Sequence, residues 1–260
     1  MSTHADRLQG RLSRILPDLP VPLLPDVHPK IGLLLAGART AFSLGFQQAL
    51  RARPDALSQL LRDEPFQTRG FALEGAAMAV VLLDEADSTH RRRLEALLTG
   101  RSVAEKALCA IGVGWASARL GRSLTWLPPG LEQQYRSSVV DGYGFHQGFF
   151  HSHRFEGRGF PLSKSELSAS YDVGLGRALW FVYLGRVKAI VSVIDRMPPG
   201  RRMELWRGIG AACAFTGSTE YAAAQLAVAA AELKSHFCSG IETGIQLLSA
   251  LARSTKEDPP

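Results

Sequence analysis

Apolar residues recur along most of the chain at intervals of three and four, the period that turns one face of an α-helix toward a core. The pattern predicts helical runs over 54–62, 69–86, 89–98, 102–120, 130–153, 172–196, 201–216 and 219–254. Period-two alternation, the mark of a half-buried strand, is nearly absent. Proline supplies the punctuation. The stretch 16–29, LPDLPVPLLPDVHP, predicts an extended connector, because proline lacks an amide proton and blocks the preceding turn. Pro54 suits the first turn of a helix, where a missing N–H costs nothing. The stretch 156–168, with Gly157, Gly159, Pro161 and several serines, predicts a surface loop or a lid. The expectation is an all-α chain forming one domain over 1–260: an N-terminal helix and connector over 1–30, a helical repeat core over 31–254, and a frayed tail over 255–260.

Glycine changes this picture from ordinary helices to a repeat. Pairs flanked by apolar residues recur as Gly112-Val113-Gly114, Gly174-Leu175-Gly176 and Gly208-Ile209-Gly210. A second motif recurs as Phe71-Ala72-Leu73-Glu74-Gly75-Ala76 and, loosely, Gly144-Phe145-His146-Gln147-Gly148-Phe149, with an echo at Cys238-Ser239-Gly240-Ile241. Motif glycines at 75, 112, 148, 174, 208 and 240 give spacings of 26 to 37 residues, the signature of repeated helical hairpins packed through glycine-rich faces. A glycine inside a helix costs about 0.5–1 kcal/mol relative to alanine. The compensation is close helix–helix approach, room for a ligand between helices, or both. No strand precedes the pairs and no third glycine follows, so they are not a dinucleotide fingerprint.

Polar residues in these runs need partners. The densest cluster is Asp141-Gly-Tyr-Gly-Phe-His-Gln-Gly-Phe-Phe-His151. On a helix Tyr143, His146, Gln147 and Phe150 share a face. A phenol, an imidazole, an amide and a nearby carboxylate among aromatic rings are the makings of an acid/base site, or of a buried network that fixes packing. Glu74 lies among small and apolar residues with no Lys or Arg three or four positions on, so it is paired from another helix or held neutral by burial. On the repeat register, Glu74 corresponds to Gln147. Arg177 follows the second glycine pair directly and needs an anion if buried; Trp115 holds the matching position after the first pair. His146, His151 and His153 are spaced two and five apart, with no Cys or Glu to complete a familiar metal shell, so no metal is expected.

Composition narrows the classes. Apolar residues make up 46% and charged residues 21%, as in globular proteins. Cys109, Cys213 and Cys238 lie apart inside apolar runs, which reads as buried thiols in a reducing compartment. The net charge of +6 is spread as arginine along the chain, with short clusters at Arg91-Arg92-Arg93 and Arg201-Arg202. Solvated helix starts account for those clusters, and no nucleic-acid motif accompanies them. The most membrane-like run, 31–50, carries Arg39 at its centre, a costly placement in a bilayer. The start of the chain lacks the apolar stretch of a signal peptide. A cytoplasmic protein with no membrane span is expected. There is no nucleophile elbow, no HExxH, no P-loop and no DDxxD, which argues against ordinary hydrolases, kinases and ionising terpene synthases.

The chain resembles the DUF1702 family, a bacterial domain of unknown function. The resemblance rests on Arg69-Gly-Phe-Ala-Leu-Glu-Gly-Ala-Ala-Met78, Gly112-Val-Gly-Trp-Ala116 with Arg119-Leu120, Val140-Asp-Gly-Tyr-Gly-Phe-His-Gln147, Gly174-Leu-Gly-Arg-Ala-Leu-Trp-Phe181 and Leu205-Trp-Arg-Gly-Ile-Gly210, in order from about Gln47 to Ala252. Ser239-Gly-Ile-Glu242 departs from the family's Gln-Gly-Ala-Ala type run. The resemblance implies a place in bacterial clusters for specialised metabolites, including enediyne polyketides.

The expected function is then binding of a large apolar, polyene-like polyketide or isoprenoid intermediate, with cyclisation or isomerisation by acid/base chemistry and no cofactor. Asp141 and His146 would form the acid/base pair and Glu74 a second carboxylate. Gln147 and Arg177 would orient the ligand, and Tyr143, Trp115 and Trp180 would line its cavity. All four of Glu74, Asp141, His146 and Arg177 are expected around one centre, with His146 held protonated by the carboxylates. The rival expectation is a non-catalytic helical scaffold for a biosynthetic partner protein.

Overall fold

The structure is a computed structural model that describes residues 26–87, 92–157, 159–160 and 166–257. The connector upstream of residue 26, the end at 258–260 and much of the 156–168 stretch lie outside the described residues. Eleven α-helices follow one another there: α1 Pro29–Arg51, α2 Pro54–Asp63, α3 Phe66–Ala86, α4 Arg93–Leu98, α5 Val103–Arg119, α6 Arg136–Phe150, α7 Ser168–Val182, α8 Val187–Ile194, α9 Pro199–Phe215, α10 Thr219–Ala229 and α11 Lys234–Glu257. No strand occurs among the described residues. α11 remains helical through Glu257, past the point where a frayed tail is expected.

Two predicted runs prove to be pairs of helices. The 172–196 run is cut at Leu184 and Gly185, both with positive φ, and the 219–254 run at Ala231, φ 49°. Left-handed backbone of this kind ends a helix. Gly185 is suited to its break, because a side chain there would meet Ile31 and Trp180 at 2.9 Å. Other boundaries follow from capping. Ser102 and Glu105 form a reciprocal capping box that starts α5. Asp84, at the end of α3, accepts the Leu94 amide at 3.1 Å and so fixes the start of α4.

α3 is the centre of the molecule. Every residue from Arg69 to Asp84 is buried, as befits a helix that is apolar on all sides. The long helices α1, α3, α5, α6, α7, α9 and α11 pack each against the next. At each junction glycine lets backbones touch. A methyl group placed on Gly75 would lie 2.0 Å from the Phe42 carbonyl oxygen, and one on Gly45 2.1 Å from that of Ala72. The same reciprocal contact joins Gly142 to Ile111 and Gly114 to Val139, Gly174 to Asp141 and Gly144 to Tyr171, Gly208 to Val173 and Gly176 to Leu205, and Gly240 to Arg207 and Gly210 to Phe237. In each pair one residue number rises as its partner falls, so neighbouring helices run antiparallel. Between α3 and α5, Gly112 meets the Glu74 carbonyl at 2.1 Å while Ala77 replaces the second glycine.

These contacts correct the repeat register. The α6 member is Gly142-Tyr143-Gly144, not Gly148, whose nearest neighbours are the side chains of Ala178, Leu175 and Phe155. Position by position, Glu74 therefore corresponds to Asp141, not to Gln147. α1 is a further member, with Ser43 and Gly45 at the paired positions.

The series curls on itself. α11 returns to touch α3 and α5, and Phe215 of α9 fills the space beside Gly70 of α3. Residues on the inner side of the curl, far apart in sequence, are thereby brought face to face.

Candidate functional site

Three charged side chains meet inside the curl. Arg177 of α7 donates from Nη1 to Asp141 Oδ1 of α6 at 2.8 Å and from Nη2 to Glu74 Oε1 of α3 at 3.2 Å. Glu74 and Asp141 both stand one position before the first of the paired small residues of their helices, Gly75 and Gly142, and Arg177 stands directly after the second of its own, Gly176. Helix pitch and backbone contact thus set all three at one depth. Glu74 and Arg177 are buried, whereas the Asp141 side chain keeps 18% of its surface exposed. Asp141 is the edge by which the triad meets its surroundings.

Two carboxylates share a single guanidinium, and the electrostatics follow. Burial pushes the Glu74 carboxyl up to about 7; the Arg177 charge opposes this, and the Asp141 charge adds to it. Burial also raises Asp141, against the pull of Arg177. Arg177 stays firmly charged, because its two carboxylate partners outweigh its own desolvation. With its carboxyl raised to about 7, Glu74 exchanges a proton around neutrality.

An aromatic wall stands beside it. The Arg177 guanidinium lies 5.2 Å over the Phe145 ring. Phe145 packs against Trp115 at 4.8 Å, Phe181 at 5.4 Å and Phe149 at 5.8 Å. Arg39 of α1 covers Phe149 at 5.2 Å and donates to the Phe181 carbonyl at 3.3 Å. Trp115 also touches Phe42, Phe150 and His146.

His146 does not join the carboxylates. It lies five residues beyond Asp141, which on a helix turns it to another side. Its ring packs edge-on to Trp115 at 5.9 Å and against Phe150 at 4.7 Å. Desolvation lowers its pKa to about 3, with the nearby His151 and Arg119 charges acting in the same direction. A protonated His146 paired with Asp141 is therefore corrected to a neutral imidazole among aromatic rings. Both of its ring nitrogens are buried without a hydrogen-bond partner, as is Nε1 of Trp115.

The remaining expected residues divide. Tyr143 is partly buried and lies 6.3 Å from the Tyr171 ring. Gln147 is partly buried, and its carbonyl accepts the His151 amide. Trp180 is fully buried, its ring packs in the core, and its Nε1 donates to Thr216 at 3.2 Å. Among the described residues no three His, Cys, Asp or Glu side chains gather in a way that could hold a metal ion.

A second buried pair escaped sequence reasoning. Arg201, expected at a solvated helix start, is 4% exposed; its Nε reaches both oxygens of Asp172 at 3.0 Å and its Nη1 the Phe160 carbonyl at 2.8 Å. Adjacent Arg202 donates to the Met197 and Asp195 carbonyls at the end of α8. The only hint in the sequence was an aspartate embedded in an apolar helix.

No described helix is long and apolar enough to cross a membrane. No curated protein and no solved structure matches the chain. A family model does, described as a protein of unknown function, DUF1702, over residues 25–255.

Proposed function

The chain belongs to the DUF1702 family, and from that premise we propose that it binds a large apolar, polyene-like biosynthetic intermediate and moves a proton on it without a redox cofactor. One observation carries the reading: a carboxyl brought near neutrality, in a triad with one exposed edge, beside a wall of aromatic rings. An acid with a pKa near 7 is poised to give and retake a proton at physiological pH. The Glu74–Asp141 pair would supply a proton to a double bond or carbonyl of the ligand. Arg177 would stabilise the carboxylate left behind. The faces of Phe145 and Trp115 would attract the positive charge developing on carbon. Loss of a proton from another carbon would restore the carboxyl and leave an isomerised or cyclised product, with no net change in protons or electrons.

The test is mass spectrometry of an organic extract of the purified protein, followed by turnover of the recovered molecule in deuterium oxide. The expected result is an apolar unsaturated compound whose product carries deuterium with wild-type protein and none with Glu74→Gln. An extract empty of such compounds would overturn the reading.

The rival, a non-catalytic scaffold, is favoured by the internal pairing of Glu74 and Arg177, since a buried ion network can serve packing alone. It expects Glu74→Gln to lower stability and nothing else.

A further inference from the structure

Three strong hydrogen-bonding atoms are left without partners in one small region: Nδ1 and Nε2 of His146 and Nε1 of Trp115. The two residues are only 3% and 5% exposed, and their rings meet at 5.9 Å. Buried polar atoms in native proteins are nearly always satisfied, and each failure costs about 1–3 kcal/mol. Three together in an apolar setting imply a partner that is not part of the chain.

The chemistry of that partner can be read from the donors and acceptors. The indole nitrogen can only donate. A neutral imidazole offers one donor and one acceptor, and burial among rings keeps His146 neutral. The two imidazole nitrogens point away from each other, so one oxygen serves only one of them. A hydroxyl or an enol, which accepts from the Trp115 indole and can either donate to or accept from the nearer His146 nitrogen, matches that side of the set whichever tautomer His146 adopts. A pure hydrocarbon matches none of it. An ionised carboxylate accepts but cannot donate, and it would be desolvated here. Next to the orphaned atoms stand Phe150 and His151, both partly exposed, so the region borders the surface. On its other side Trp115 packs on Phe145, which carries the Arg177 guanidinium.

We propose that His146 and Trp115 form a second binding point, which receives the hydroxyl end of an apolar ligand whose body lies along the Phe145–Phe149 wall toward the Glu74–Asp141–Arg177 triad. This rests on the apolar-ligand reading above and narrows it: the ligand is an oxygen-tipped chain held by one end, with the proton chemistry at a distance from that end.

The probe is a fluorescent conjugated tetraene of fixed length, offered as hydrocarbon, primary alcohol and carboxylate. Affinities come from fluorescence titration. The alcohol is expected to bind at least tenfold more tightly than the hydrocarbon. His146→Phe and Trp115→Phe, which keep an aromatic ring and remove the polar atoms, should erase the preference, so that alcohol and hydrocarbon bind alike. His146→Gln, which can still donate and accept, should retain part of it. If the substitutions impair folding, nitrogen-15 spectra of histidine-labelled wild-type protein replace them: the alcohol should shift the His146 ring resonances and the hydrocarbon should not. Equal binding of alcohol and hydrocarbon, or unmoved His146 resonances, overturns this proposal and leaves the apolar-ligand reading standing. Failure of every tetraene to bind overturns both.

Discussion

Replacing Gly176 by alanine should destabilise the protein, although the same change in an open helical position stabilises it. Gly176 faces the Leu205 carbonyl across the α7–α9 junction, and an added methyl carbon would lie 2.1 Å from that oxygen. Ordinary carbon–oxygen contact is more than an ångström longer, and the obstacle is helix backbone, so α7 and α9 must separate. Overpacking of this kind costs about 1–3 kcal/mol, and more where neighbours cannot relax. Against it stands a gain of about 0.5–1 kcal/mol from alanine's lower unfolded-state entropy and better helix propensity. With helix backbone on both sides the cost falls in the upper part of the overpacking range, about 2–3 kcal/mol. The net expectation is a loss of about 1–2.5 kcal/mol, or roughly 2–10 °C in melting temperature for a domain of this size. Gly37 supplies the internal control, since it lies within α1 with nothing within 4 Å of an added methyl group. Gly37→Ala should melt about 1–4 °C above wild type. Scanning calorimetry or thermal circular dichroism of Gly176→Ala, Gly114→Ala and Gly37→Ala decides the matter. Gly176→Ala and Gly114→Ala both melting at or above wild type would refute the backbone-contact account.

Other substitutions test the charges. Arg177→Met strands the buried Glu74 carboxyl and the part-buried Asp141 one and should cost about 3–5 kcal/mol at neutral pH, with part of the loss recovered by adding Glu74→Gln, as measured by chemical denaturation. Arg201→Ala should likewise cost several kcal/mol, about 3–5, and should speed amide exchange around Phe160, whose carbonyl it holds. The pH profile has two opposing parts. Glu74, raised from 4.5 to about 7, holds a proton that the unfolded chain has lost, so its contribution is complete below 4.5 and vanishes as pH rises through 7. His146, lowered from 6.5 to about 3, contributes fully above 6.5 and loses that contribution as pH falls through 3. Between 4.5 and 6.5 the two slopes oppose one another and the melting temperature should change little. His146→Phe should unmask a fall in stability, on the order of 3 kcal/mol, as pH rises from 4.5 to 7.

The fold was legible in the sequence because its causes are local. Period-three-and-four patterning gives the helices, and the glycine pairs mark the junctions. The breaks at Leu184 and Ala231 were not legible, since neither residue favours left-handed backbone. The slip from Gly142 to Gly148 arose because both precede aromatic residues on the same helix, and only the facing carbonyl tells them apart. Glu74, Asp141 and Arg177 could be picked out as charges in apolar helices that need partners. That His146 stands apart follows from its place five residues beyond Asp141 on the same helix, but its packing against the Trp115 ring of α5 could not be read, because that contact spans two helices.

The two acids of the triad share a property with other positions of the series. The backbone oxygen of Glu74 touches Gly112, and that of Asp141 touches Gly174, so each carboxyl is rooted at a point where two main chains already meet. The corresponding stations elsewhere in the series hold Phe42, Ile111, Val173, Arg207 and Ser239. Because backbone contacts at small residues, and not these side chains, fix the helix spacing, the stations are interchangeable slots on one frame. A charge can therefore be moved from one slot of this frame to another without redesigning the scaffold.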